Sequence, residues 1–184
     1  MLLGHRQRLA ELSGRGQTRD IRLGYESFEA PSLNIIGVVT GTDPKLRDQY
    51  VVFSSHQDHD GVRYTVAGDS IWNGADDNAS TSAAILAIAR AFRRQPGRRS
   101  ALFIFHGAEE RGLLGSRYHV AHPVVPLASI VAVINGDMIG RNNPDTAALL
   151  GSQPPHRNSS ALVQMALDAN RATSRFVIDS LWDR

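Results

Sequence analysis

The sequence predicts an α/β fold, a mostly parallel mixed β-sheet sandwiched between helices. Two continuous β-branched and aromatic runs of strand length, Tyr50-Val51-Val52-Phe53-Ser54-Ser55 and Ala101-Leu102-Phe103-Ile104-Phe105, read as strands buried on both faces. Between them, Ala83, Ala84, Ala87, Ile88, Ala91 and Phe92 recur with helical spacing. The alternation then repeats, and strands alternating with helices indicate parallel pairing with both sheet faces covered.

Taken in order, a short helix is expected from about Arg6 to Leu12, then extended runs at Ile21–Tyr25 and Asn34–Thr40, which could form an antiparallel edge. Gly41-Thr42-Asp43-Pro44 ends the second run in a reversal. After the Tyr50–Ser55 strand, a polar loop is expected from His56 to Gly74. Asp77 or Asn78 reads as the N-cap of a helix reaching about Arg94, closed by Gln95-Pro96-Gly97. The Arg93, Arg94, Arg98 and Arg99 cluster reads as compensation of the helix dipole and a solvated turn. The Ala101–Phe105 strand, a helix from about Leu113 to Ala121 and a third buried strand at Ser129–Ile134 follow. A helix from Asn158 or Ser159 to about Asn170 and a strand opening at Phe176 complete the pattern.

Composition narrows the function classes. The chain has 184 residues, suited to one domain with one core. It has no cysteine, which excludes disulfides, thiolate metal sites and cysteine nucleophiles, so any metal must be held by His, Asp and Glu. A net charge of +2 is too small to argue for nucleic acid. No apolar run approaches the roughly 20 residues of a membrane span. Residues Met1 to Arg6 lack the apolar core of a signal peptide, which leaves a cytosolic protein or one without its leader as the expectation. No Gly-x-Ser-x-Gly elbow, Walker motif or dinucleotide fingerprint occurs.

The acidic residues and histidines collect where an α/β sheet places its ligand site, outside the carboxyl ends of strands. His56 and Asp58 follow one strand, Glu109 and Glu110 a second, and Asp137 a third, while Asp76 and Asp77 lie at a loop-to-helix junction. Each element taken alone has a plainer reading: a polar turn, an N-cap, a solvated pair, a loop Asp. Together, carboxylates converging without a basic partner would repel one another, and bound cations relieve that. An oxygen and imidazole donor set suits Zn²⁺, and less often Mn²⁺ or Co²⁺. In this reading His56 binds a metal while Asp58 accepts its second ring N–H. His59 reads as a loop residue close enough for a supporting contact, and His106 as a residue at a strand end able to line the cleft. His119, His122 and His156 read as surface or capping residues.

At four stretches the sequence resembles the two-zinc aminopeptidases of clan MH: Ser55-His56-Gln57-Asp58, Asn73 to Ser80, Ala108 to Ser116, and Asn135-Gly136-Asp137. The resemblance implies a zinc exopeptidase fold, two Zn²⁺ in an intact site, peptide substrates and release of N-terminal residues. Carboxypeptidase or dipeptidase activity and a catalytically inactive binding module are the alternatives it leaves open. It implies that His56 and Asp137 bind one zinc, that Asp77 bridges both, and that Glu110 binds the other. It also makes Glu109 the general base and Asp58 the residue orienting His56. Thr81 stands where relatives usually have Gly. The family's last His ligand, in a Ser-Asp-His context after a late strand, has no counterpart before Arg184. Residues 1–184 are therefore expected to form a single, incomplete catalytic domain without a protease-associated domain, with a weak or empty second zinc site. Secretion or periplasmic residence of the parent protein, and self-association through open sheet edges, are further expectations.

Overall fold

The computed structural model describes residues 31–141, 143–151 and 158–179. The helix and extended run expected before Pro31 lie outside the described residues, as does His156. Two compact units are present. The larger holds a four-stranded sheet in the spatial order β1-β5-β2-β6, with β1 Ile35–Val39, β2 Tyr50–His56, β5 Ser100–His106 and β6 Ile130–Asn135. β2 pairs in parallel with β5 and β6, and β1 runs antiparallel to β5. β1 is antiparallel, but its described partner is β5; the Ile21–Tyr25 run expected beside it lies outside the described residues. The helices are α1 Thr81–Arg94, α2 Leu114–Ala121 and α3 Ser160–Ala172.

The core forms because β2 and β5 alternate side chains across two covered faces. On one face Phe53, Ala101 and Phe103 pack against Ile85 of α1, with Ile88, Ala89 and Phe92 around them. The Phe53 ring lies 5.4 Å from Phe103 and 5.3 Å from Phe92, centroid to centroid. On the other face Val52, Leu102 and Ile104 form a second cluster with Ile36, Val125 and Ile130. Both central strands are buried as the sequence predicts.

Three expectations change. β6 is not a buried strand: it is an edge, with Val131, Val133 and Ile134 about half exposed, because only β2 pairs with it among the described residues. The helix expected from Asp77 begins at Thr81. Asp77 and Asn78 carry non-helical backbone angles (φ −98°, ψ 91° and φ −134°, ψ 38°), which turn their side chains elsewhere. The expected loop between His56 and Gly74 contains a hairpin, β3 Gly61–Val66 and β4 Asp69–Trp72, which belongs to the smaller unit. Its turn is Ala67-Gly68, both at positive φ, and Trp72 stacks edge-on to Tyr64 at 5.1 Å. A small parallel pair, β7 Thr146–Ala148 with β8 Val177–Asp179, completes the elements. Among the described residues no helix is long and apolar enough to cross a membrane.

Candidate metal centre

His56 is the last residue of β2, on the same side as Val52 and Ser54, and its side chain is only 4% exposed. Its Nδ1 lies 2.8 Å from the Asp58 main-chain carbonyl. That contact corrects the expected one: the Asp58 carboxylate is 3.8 Å away and instead accepts the Glu109 backbone N–H at 3.3 Å. Asp58 thus orients the imidazole through its backbone and the Glu109 turn through its side chain. Ser82 of α1 donates to the His56 carbonyl at 2.9 Å, fixing the strand end to the helix.

The two aspartates before α1 divide their work. Asp76 is held by Arg141 at 2.7 Å and by the Gly140 N–H at 2.6 Å, and these contacts, with the guanidinium foremost, hold its carboxyl below the usual range. Asp77 faces the site, its Oδ1 3.1 Å from His56 Nε2. Next to it, the fully buried Asn78 donates to the Gly136 carbonyl (3.1 Å) and accepts the Met138 N–H (3.2 Å). The loop carrying Asp137 is thereby tied to the loop carrying Asp77, and Asp137 Oδ1 comes to 3.5 Å from His56 Nε2. After β5, Ala108 at positive φ starts the short turn Glu109–Arg111. Glu109 Oε2 is 4.0 Å from His56 Nε2, and Glu110 offers an oxygen within 4.8 Å of donor atoms of both His56 and Asp77.

Of the seven residues gathered in the sequence, Asp76 turns to Arg141 while His56, Asp58, Asp77, Glu109, Glu110 and Asp137 meet at one rim, where His59 joins them. His59 Nε2 lies 3.7 Å from Asp77 Oδ2 and 3.6 Å from Glu110 Oε1. Two donor groups sharing Asp77 result: His56, Asp77 and Asp137, and His59, Asp77 and Glu110; in each, one atom per residue falls within 4.8 Å of the others. Sequence reading left His59 as a loop residue, and only its place within four residues of His56 hinted otherwise.

These groups fit a metal. His56 Nε2 is buried and makes no hydrogen bond, although carboxylate oxygens surround it. Four ligands about 2.0–2.1 Å from a tetrahedral zinc stand about 3.3 Å apart, close to the spacings found here. Without a cation the charges are in conflict. Burial lifts the Glu110 carboxyl above its ordinary range, and Asp77 adds to this. Burial likewise lifts Asp137, with Asp77 reinforcing and His56 opposing. Burial disfavours protonation of His56, but the bond to the Asp58 carbonyl and the charges of Asp137, Glu109 and Asp77 outweigh it, so its pKa is raised.

Beside the site is a cavity of about 550 Å³ lined by His56, His106, Glu109, Leu113, His119 and Asp137 among others. His106 lines it as expected. His119, expected at the surface, is 6% exposed and faces His106 with ring centroids 6.1 Å apart. Burial lowers both their pKa values. His122 is exposed, its ring stacked on Tyr118. Arg98 reaches Asp43 and Arg99 reaches Gln49, as a solvated turn requires.

A mostly parallel α/β sheet with imidazoles and carboxylates gathered at the strand ends defines the zinc exopeptidase class of fold. The chain belongs to peptidase family M28, whose model matches residues 34–179. It is 36% identical over 126 residues to leupeptin-inactivating enzyme 1 of Streptomyces exfoliatus, covering 65% of this chain and 25% of that protein. It is 34% identical over 107 residues to aminopeptidase YwaD of Bacillus subtilis, covering 58% and 21%. Among solved structures, a Zn-dependent exopeptidase from Parabacteroides distasonis superposes with a TM-score of 0.61 at 26% identity, over 76% of this chain and 51% of that one. LapA of Legionella pneumophila superposes with a TM-score of 0.60 at 26% identity, over 79% and 37%. The chain thus spans about a quarter of the length of the curated relatives it matches.

Proposed function

We propose that this chain carries the catalytic unit of a zinc-dependent aminopeptidase, residues 34–179, acting on the N-terminal residues of peptides. The observation that carries the reading is the split of the Asp77 carboxylate, Oδ1 3.1 Å from His56 and Oδ2 3.7 Å from His59, with Glu109 and Glu110 alongside. In this reading His56 and Asp137 hold one zinc, Asp77 bridges, and Glu110 holds the second. The names of the relatives, an aminopeptidase and a Zn-dependent exopeptidase, support it. When bound, zinc supplies Lewis acidity, lowering the pKa of water towards about 7 and polarising a peptide carbonyl.

The protein's own residues do the rest. Glu109 takes a proton from the attacking water at Oε2 and delivers it to the leaving amine, the general-base and general-acid role of one carboxyl in turn. The Asp58 carboxylate holds the Glu109 backbone in place for this. Cavity charge favours an amine over a carboxylate as the recognised terminus: the lining carries Glu109 and Asp137 and, among the described residues, neither Lys nor Arg. Glu109→Gln tests the reading. Turnover of an aminoacyl-anilide should fall by roughly 10²–10⁴-fold while zinc affinity changes little. Unchanged turnover would remove Glu109 from the mechanism, and turnover without zinc would remove the metal.

A further inference from the structure

The strand ends opposite the metal centre gather seven of the chain's 20 Lys and Arg. We propose that this end of the sheet docks on an anionic phospholipid surface, as a peripheral contact made by the arginines at the end of α1 and the basic turn beside them. The proposal stands apart from the metallopeptidase reading, since it concerns the other end of the strands and needs neither zinc nor turnover.

The placement follows from the strand register. Tyr50 opens β2 beside Ser100, which opens β5, so the segments just before them meet at one end. Main-chain bonds join these segments, from the Thr42 N–H to the Gly97 carbonyl at 2.9 Å and from the Asp43 N–H to the Arg98 carbonyl at 3.2 Å. α1 brings its last turn to the same end, since only Gln95 to Arg99 separate it from β5. His56 and His106 close the same two strands at the other end, about 20 Å away at the rise of a β-strand.

Residues 43–49 and 90–99 hold those seven basic residues, all exposed, and only two of the chain's 18 Asp and Glu, although the whole chain nets +2. Arg98 is engaged by Asp43 and Arg99 by Gln49. Among the described residues, Lys45, Arg47, Arg90, Arg93 and Arg94 make no ion pair, and the three α1 arginines donate no hydrogen bond to the last helix carbonyls. They share one helix face by their spacing of three and four. A helix C-terminus carries only about half a negative charge, so most of this positive charge is left over. The neighbouring aromatic residues are not free to stack on nucleic-acid bases: Phe92 packs on one core cluster and Tyr50 on the other. An exposed array of guanidiniums without stacking groups suits headgroup phosphates, which each can bind through two parallel N–H groups. Docked at this end, the molecule holds the carboxylates of the metal rim away from the negative surface and open to solvent. Among the described residues no helix can cross a bilayer, so the contact is peripheral.

The test is co-sedimentation of the purified full chain with vesicles of phosphatidylglycerol and phosphatidylcholine in equal parts, against vesicles of phosphatidylcholine alone. The chain should sediment with the anionic vesicles only, and leave them as salt rises from about 0.05 to 0.5 M. Arg90→Gln, Arg93→Gln and Arg94→Gln together should weaken binding roughly 100-fold, since each cation near such a surface contributes about fivefold. Lys45→Gln with Arg47→Gln, on the turn and not the helix, should weaken it roughly 10-fold or more, a second reading should the helix variant fail to fold. Removing as many arginines elsewhere on the surface, with Arg117→Gln, Arg171→Gln and Arg175→Gln, should change it by less than about threefold. Equal binding to both kinds of vesicle, or the same loss in the Arg117, Arg171 and Arg175 set, would overturn the proposal. Tighter binding to duplex DNA than to the anionic vesicles, lost in the helix variant, would overturn it in favour of a nucleic-acid surface. Release by inorganic phosphate in preference to chloride at equal ionic strength would overturn it in favour of a site for the free ion. Each of these results leaves the Glu109→Gln test of the peptidase reading untouched.

Discussion

Asn78→Ala removes a side chain that stands outside the donor groups yet joins the two loops of the centre. The natural Asn78 is fully buried, donates to the Gly136 carbonyl and accepts the Met138 N–H. Each bond is worth about 1 kcal/mol net, and a stranded buried partner costs about 1–3 kcal/mol. Gly136 and Met138 are only half-buried, so water recovers part of that cost. The expected loss is about 2 kcal/mol, read as a lower urea midpoint of the metal-free protein at unchanged slope. The same substitution frees the Asp137 loop, and zinc affinity should fall roughly 10- to 100-fold, as when an outer-shell partner is lost. A loss below about 0.5 kcal/mol together with unchanged zinc affinity would refute the idea that Asn78 couples the loops.

Phe103→Ala opens a cavity among Phe53, Phe92 and Ile85 and should cost about 3–5 kcal/mol, measured by the same urea unfolding. Zinc at about 100 times its dissociation constant should stabilise the fold by about 2.7 kcal/mol, a rise in Tm of roughly 5–10 °C that EDTA reverses. Burial lowers the pKa of His106 and His119 below that of the unfolded chain, so their contribution is present above the ordinary histidine value of about 6.5 and lost as pH falls through it. His56 opposes on the other side of that value, because its raised pKa favours the folded state as pH falls towards about 6.5. His119→Phe should therefore flatten the loss of Tm between pH 7.5 and 5.5 in chelated protein, conditions chosen about one unit either side of that value. An unchanged pH slope would contradict the burial argument.

The central strands were legible because β2 and β5 are buried on both faces and so carry unbroken apolar runs. β6 has a similar run, Ile130-Val131-Ala132-Val133-Ile134, yet it is an edge. A sequence encodes how apolar a strand is, not what lies on it. The β3–β4 hairpin went unread because its strands are short and largely exposed, and its turn falls on Ala67-Gly68 rather than on Asn-Gly or Asp-Gly. The rim residues were legible from their positions after strands. Which atom of Asp58 meets His56 was not, since carbonyl and carboxylate sit on the same residue and only the fold of the turn chooses. The place of His59 was hidden for a similar reason: its neighbours Asp77 and Glu110 are distant in sequence.

The chain has no cysteine and so no covalent cross-link. His56 and Asp137 are roughly 80 residues apart along it; His56 ends a central strand, and Asp137 lies in the loop just past the edge strand beside it. A cation held between them, as proposed, would work as a removable staple across that pair, fastening an exposed edge of the sheet to its middle. Segments with few buried contacts open most readily in native-state exchange, so the amides of the exposed edge β6 would report on such a staple. Hydrogen exchange along Ile130–Asn135 should slow on metal loading more than along β1, the opposite edge, whose residues take no part in the centre. On the proposed reading, metal supply would set how long the edge of the sheet stays closed.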